Sequence, residues 1–193
     1  MEMTYAARRM LLRQETSRND VLRYAAAMGW AKTGEEGALE QSQTYRLVFS
    51  VVPGTAVRYV EDFTSRQRYL YVSSNTDWVA ERLATLIDDD LSPWPLSDLV
   101  AACDHSRDLE HGRALMRLGV AAPYEYNPEV FARLDAGMQH PDPRVRRLSL
   151  WATTYSPWPQ YLARICAIAQ ADPEPALQER AETILAVLQR AAP

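Results

Sequence analysis

Three histidines are the side chains of this sequence best suited to binding a metal ion or moving a proton. His105 and His111 are six residues apart, with Asp104 and Asp108 nearby, and His140 lies in a separate segment. A zinc site on a helix places its histidines three or four residues apart, so that both face the same side. The observed spacing does not meet that requirement. We therefore predict no metal ion and no cofactor, and interpret these segments as a solvated loop, a helix start and a turn.

Motifs for nucleophilic catalysis and phosphate binding are missing from the sequence. It contains no GxSxG, GxGxxG or GxxxxGK[ST] pattern, and only 7 glycines among 193 residues. Two acidic clusters, residues 61–62 and 88–90, have the carboxylates for acid–base chemistry, but such runs are typical of solvated turns. The prediction is a protein without catalytic activity. A small-molecule enzyme is an alternative that requires a pocket no sequence pattern indicates.

Arginine dominates the basic residues, since Lys32 is the only lysine among the 21 lysines and arginines. The planar guanidinium group suits two-point pairing with carboxylates. The residues predicted to bind a partner are Arg113, Arg117, Arg144, Arg146, Arg147 and Trp151. Together they would form a positive stripe facing an acidic protein surface. Alternatively, the arginines pair internally with Asp108, Glu110 and Asp142, and both interpretations stay open.

Composition and charge restrict the class of partner. The net charge is −4, whereas a protein that neutralises many phosphates needs surplus cations, so nucleic acid is disfavoured. The sequence has no run of 18 apolar residues and no signal-peptide pattern, which predicts no membrane association. Cys103 and Cys166 form no CxxC pair and are expected to be free thiols in a reducing cytoplasm. The expected partner is another protein.

The elements of residues 1–90 are predicted to form a small α+β unit. Apolar spacing predicts one helix over residues 4–15 and a second over 21–30, capped by Asn19 or Asp20. Two glycines and mixed charges predict a loop over 31–42.

Strand patterns follow this loop. Alternating apolar and polar positions predict strands over residues 45–52, 55–60 and 69–72, joined first by a Pro53-Gly54 turn. These strands would form a three-stranded antiparallel meander. A helix with apolar residues at helical spacing completes the unit, with Trp78, Val79, Leu83, Leu86 and Ile87 on its apolar face.

Residues 91–193 contain an internal repeat. The tetrapeptide Ser-Pro-Trp-Pro at 92–95 returns at 156–159, and Tyr126 lies midway between the two tryptophans, so an aromatic residue recurs at equal intervals. A period of about 32 residues is typical of helix–turn–helix repeats. Asn127 and Pro128 are typical of a helix start, as are Asp142 and Pro143. The pattern predicts about three helical hairpins.

The segment at 140–152, HPDPRVRRLSLWA, resembles the central part of a HEAT repeat. Asp142, Val145 and Arg146 match motif positions in the turn and at the start of the second helix. The third unit keeps the turn and Ala181 but replaces Val-Arg with Leu-Gln, and the first unit has no Asp-Pro turn. The resemblance covers about 100 residues. It implies a curved stack of hairpins that binds proteins and carries out no chemistry.

The resemblance leaves more than one function class open. The first is a bacterial protein-binding scaffold or adaptor, including an immunity-type inhibitor of a partner protein. The second is a nucleic-acid-binding protein resembling the alkylbase DNA glycosylases, for which Trp151, Arg146 and Asp142 lie close together in sequence. A structural subunit of a larger assembly is the third. The acidic net charge favours the first class over the second.

Overall fold

The computed structural model describes residues 5–38 and 41–191, a mixed α and β chain with six strands and eight helices in that part. It divides into two compact units between Pro95 and Leu96. The sequence places this boundary between residues 90 and 91. We call the residues up to Pro95 unit 1 and those from Leu96 onward unit 2.

Unit 1 is built on an antiparallel sheet. Its spatial order is β1-β6-β5-β4-β3, and β2 also pairs with β6. Strands β4, β5 and β6 cover the positions of the three strands predicted from alternation. The strands are β1 (Tyr5–Ala6), β2 (Met10–Leu11), β3 (Ala31–Glu36), β4 (Tyr45–Val52), β5 (Thr55–Glu61) and β6 (Arg68–Ser74).

Two predictions for unit 1 are wrong, and both assign too few strands to the sheet. The segment expected to be a helix over 4–15 forms β1 and β2, because its backbone pairs with β6; the Ala7 and Leu12 amides each donate to a β6 carbonyl at 2.9 Å. The segment expected to be a loop over 31–42 begins with β3, which pairs with β4. Residues 4, 39 and 40 lie outside the described residues. The predicted three-stranded sheet is therefore six-stranded in the described part.

Two helices accompany the sheet in unit 1. Helix α1 (Arg18–Ala27) begins earlier than predicted, because Ser17 rather than Asn19 or Asp20 is its N-cap. The Ser17 hydroxyl accepts from the Asp20 amide, and the Asp20 carboxylate accepts from the Ser17 amide, a reciprocal capping box. Helix α2 (Asp77–Leu91) ends at Ser92, whose φ of 44° stops the helical repeat.

The core of unit 1 combines the sheet with both helices. Strand residues such as Leu47 and Phe49 are buried with Val21 of α1 and Leu83 of α2. Full burial of side chains of this size contributes about 1.5–3 kcal/mol each. The buried apolar side chains at alternate positions of β4 and β5 thus form the sheet face against which the helices pack.

The described part of unit 2 contains helices and the short segments that connect them, and no strands. Consecutive helices pack as pairs, α3 with α4, α5 with α6, and α7 with α8. A short 3-10 helix (Pro159–Tyr161) precedes the third pair. The helices are α3 (Leu96–His105), α4 (Asp108–Ala121), α5 (Pro128–Gly137), α6 (Pro143–Ala152), α7 (Leu162–Ala171) and α8 (Pro175–Ala191). The predicted starts at Asn127-Pro128 and Asp142-Pro143 are confirmed, since each polar residue caps its helix.

Glycines allow α4 and α6 to approach closely. A Cβ atom at Gly112 would lie 2.8 Å from Leu148 Cδ1, and one at Gly119 would lie 2.5 Å from the Ala152 Cβ. Gly112, near the start of α4, contacts Leu148, and Gly119, further along α4, contacts Ala152, which is further along α6. The two helices therefore run in the same direction. Their outward-facing residues therefore lie side by side on one surface of unit 2.

Candidate partner-binding surfaces

The first helices of the three pairs are joined by repeated ion pairs. Arg133 of α5 donates to Asp104 of α3 at 2.6 Å, and Arg164 of α7 donates to Asp135 of α5 at 2.9 Å. The interval along the chain between the two aspartates equals the interval between the two arginines. The Arg133 hydrogen bonds lower the pKa of Asp104. The same ion pair therefore links each first helix to the first helix of the next helix pair.

Helix α6 starts at a charged cap. The Asp142 carboxylate accepts from the Arg144 amide at 2.8 Å and from the Arg144 guanidinium at 2.7 Å. These hydrogen bonds lower the pKa of Asp142 to about 2. Asp172 repeats the backbone part of this geometry ahead of α8, where it accepts from the Glu174 amide at 2.9 Å. Arg144 is therefore exposed but already paired.

Arg146 does not belong to an exposed stripe, which corrects the prediction for this residue. It is 9% exposed, and its guanidinium donates to both oxygens of Asp172 at 2.8 and 2.9 Å. A third nitrogen donates to the His140 and Pro141 carbonyls, each at 3.0 Å. The charge and the N–H donors of Arg146 are therefore engaged inside unit 2, because the Asp172 carboxylate is also buried.

The other predicted arginines lie on the outer surface of α4 and α6. There they outnumber the carboxylates with which they form ion pairs. Arg113 and Arg117 both donate to the single carboxylate of Glu110, at 3.4 and 2.8 Å. Arg147 is exposed and has no hydrogen bond or ion pair within residues 5–38 and 41–191. The four arginines have two ion-paired carboxylates, Glu110 and Asp142, and Asp108 also lies close enough to Arg144 to raise its pKa, so cations still outnumber anions. We call Arg113, Arg117, Arg144 and Arg147 the second-helix surface.

Trp151 borders the second-helix surface but is partly covered. The Arg180 guanidinium of α8 lies 4.2 Å from the centre of the Trp151 ring. A cation in this position is attracted by the ring face. Trp151 therefore joins α6 to α8 and presents only part of its ring to a partner.

A second surface, in unit 1, is absent from the sequence predictions. An open groove of about 550 Å³ runs beside α2, bordered by Val51, Val52, Trp78, Arg82, Leu86 and Asp89. We call it the α2 groove. Trp78 is 69% exposed and Val52 is 48% exposed, although both are apolar. Contiguous exposed apolar side chains of this kind mark interaction surfaces.

The sequence does contain a signal for this groove. The apolar residues of α2 cover more of the helix than one core-facing stripe requires. Leu83 and Ile87 face the core, whereas Trp78 and Leu86 do not. Two apolar pairs of adjacent residues, 78–79 and 86–87, could have indicated a second apolar face.

A polar pocket of about 450 Å³ lies in unit 2 and brings together two of the histidines. The rings of His111 and His140 are 5.9 Å apart between centres, and His111 Nδ1 lies 3.0 Å from the Cys103 carbonyl oxygen. Burial raises the pKa of the Cys103 thiol to about 12, so it is not a ready nucleophile. Within the described residues, no group of three or more His, Cys, Asp or Glu side chains is placed to hold a metal ion.

Comparisons with family models, with curated proteins and with solved structures found no match to this chain. In the described part of the chain, none of the helices combines the length and apolar character needed to cross a membrane.

Proposed function

We propose that this chain is a non-enzymatic, cytoplasmic protein-binding scaffold or adaptor, of which an immunity-type inhibitor is one form. Unit 2 would be a HEAT-like stack of three helical hairpins. Three features support that architecture: the pairwise packing of its helices, the ion pairs repeated between successive first helices, and the carboxylates of Asp142 and Asp172, each of which accepts from the backbone amide two residues further on. In unit 1, strands β4, β5 and β6 would be the meander expected from the sequence.

The cation excess of the second-helix surface carries the functional proposal. Arg147 is exposed without a partner in the described chain, and Arg113 and Arg117 share one carboxylate. These residues lie in a chain whose net charge is −4, so the local charge is opposite to that of the whole. Such a patch favours binding to an acidic protein surface, and the attraction between opposite charges raises the rate of association.

The nucleic-acid alternative receives no comparable support. Arg146 is held by Asp172, Trp151 is covered by Arg180, and Asp142 caps α6 while pairing with Arg144. Arg146 and Asp142 are engaged within unit 2, and Trp151 offers only part of its ring, so this trio has little left to contact a nucleotide. Four arginines interspersed with carboxylates also neutralise too few phosphates for strong binding to a duplex.

A capture experiment tests the proposal. The tagged full chain is used to retain proteins from a lysate of its source cells, in parallel with R147E and R82E, two charge reversals at exposed arginines. We expect one protein to be retained in stoichiometric amount, to be lost with R147E or at high salt, and to be kept with R82E. Nuclease-sensitive nucleic acid in its place, or no retained protein, would contradict the proposal.

A further inference from the structure

The charged residues of α2 fall into two groups. Four of them accept hydrogen bonds within unit 1, namely Asp77, Glu81, Asp88 and Asp90. The other two, Arg82 and Asp89, are exposed and have no hydrogen bond or ion pair with any residue the structure describes. Both border the α2 groove. The helix thus leaves one cation and one anion unpaired beside its exposed apolar residues.

The positions of Arg82 and Asp89 are related by helix geometry. They are seven positions apart on α2, which corresponds to about two turns and a rise of about 10 Å, so both lie on the same face. Leu86, which is 38% exposed, lies between them near the midpoint. Along this face of α2, a cation (Arg82), an apolar side chain (Leu86) and an anion (Asp89) follow one another at nearly equal spacing.

This arrangement is complementary to itself. If a second α2 lies antiparallel to the first, with a two-fold axis near Leu86, Arg82 of each helix faces Asp89 of the other. The two Leu86 side chains then meet at the axis. An interface of this kind uses the same patch on both subunits, as two-fold symmetry requires. A different protein would have to supply the reversed charges at the same spacing, whereas a second copy already carries them.

We infer that the α2 groove is a self-association surface, occupied by α2 of a second copy of this chain. Two Arg82–Asp89 pairs set the antiparallel direction, and exposed apolar side chains supply the buried area. Trp78 is the largest of these, and tryptophan is enriched among the residues that contribute most to binding at interfaces. The inference goes beyond the proposed function, because it concerns unit 1 and uses none of the second-helix residues.

Sedimentation velocity of the full chain tests the inference. We expect a species of 21.9 kDa at micromolar concentration and a growing fraction of twice that mass toward millimolar concentration. R82E and D89R should each weaken association by at least about tenfold, since each replaces two attractive pairs with two repulsive ones. The double variant R82E/D89R reverses every pair and should regain association close to that of the wild type.

Control variants separate this surface from the rest of the chain. R107E is a matched charge reversal at an exposed arginine of unit 2 and should leave self-association unchanged, whereas W78A should weaken it. Far-UV circular dichroism at low concentration checks that each variant is folded. A chain that stays monomeric at every concentration overturns the inference. So does a dimer that neither single reversal weakens, or one that the double variant fails to restore. Arg82-dependent capture of a different protein by a monomeric chain would assign the groove to that protein instead.

Discussion

The Arg146 guanidinium and the Asp172 carboxylate form a buried two-point ion pair that links α6 to the segment preceding α8. Their side chains are 11% and 4% exposed, and the two N–H···O distances are 2.8 and 2.9 Å. Desolvation penalises both charges, but the fork geometry and the additional carbonyl acceptors satisfy the donors of Arg146. The pair therefore joins the second helix pair of unit 2 to the third.

Removal of one member of this pair should destabilise unit 2. For Asp172→Ala we expect the free energy of unfolding to fall by about 3–5 kcal/mol, because the Arg146 charge would remain buried without its partner. Urea unfolding followed by circular dichroism measures the change.

Two variants serve as controls for this loss. Arg144→Ala removes a pair that is exposed to solvent, so it should cause a much smaller loss. Arg146→Met combined with Asp172→Leu removes both charges and should recover much of the stability lost in Asp172→Ala. Equal losses for Asp172→Ala and Arg144→Ala would contradict the assigned role of burial.

The same pair predicts a pH dependence. Burial tends to raise the pKa of Asp172, but hydrogen bonds from Arg146 and the Glu174 amide outweigh it and lower the pKa below its usual value. A carboxyl whose pKa is lower when folded stabilises the protein above its unfolded pKa and loses that contribution as pH falls through the folded pKa. The stability difference between wild type and Asp172→Asn should thus be full at neutral pH and shrink below about pH 4. Urea titrations at several pH values test this, and a difference independent of pH would contradict it.

The close approach of α4 and α6 predicts an unusual response to alanine. In an exposed helix, Gly→Ala stabilises by about 1 kcal/mol. At Gly119 the new methyl would lie 2.5 Å from the Ala152 Cβ and 2.7 Å from the Ala152 carbonyl oxygen. We expect Gly119→Ala to lower the unfolding free energy by about 1–3 kcal/mol. Adding Ala152→Gly removes one of the colliding groups and should relieve part of the loss, which thermal unfolding of the wild type and the two variants would show.

The two helices of unit 1 provide a matched test of capping. Ser17 accepts a hydrogen bond from the Asp20 amide at 3.2 Å, whereas Thr76, the N-cap of α2, makes no capping hydrogen bond with its side chain. Ser17→Ala should therefore reduce the unfolding free energy by about 1 kcal/mol, and Thr76→Ala by less than about 0.5 kcal/mol. Urea unfolding measures both. A larger loss for Thr76→Ala would contradict the assigned cap.

Local signals explain which elements were predictable. The starts of α5 and α6 were predicted because Asn127-Pro128 and Asp142-Pro143 act on the adjacent amides, and both occur in the structure. The apolar alternation over 45–52 likewise coincides with β4. In each case the residues that determine the element belong to it or adjoin it.

Long-range pairing explains the errors. Residues 5–15 have apolar spacing suited to a helix, yet two short pieces of this segment, β1 and β2, are strands because β6 offers unpaired backbone groups at the sheet edge. Tertiary override of local preference is common where backbone hydrogen bonds are available. The segment over 31–36 carries glycine and charges, which weakens any local strand signal, and it is a strand because β4 pairs with it.

The sequence alone determined the mixed helix and strand composition, the starts of α5 and α6 and the absence of known catalytic motifs, because each depends on residues close together in the chain. Only the tertiary structure decided which charged groups are free. Arg146 is buried because Asp172, 26 residues away, reaches it. Arg82 and Asp89 stay exposed because the fold brings no opposite charge to them among the described residues. Pairing of charges depends on distance in space, which spacing along the chain does not give.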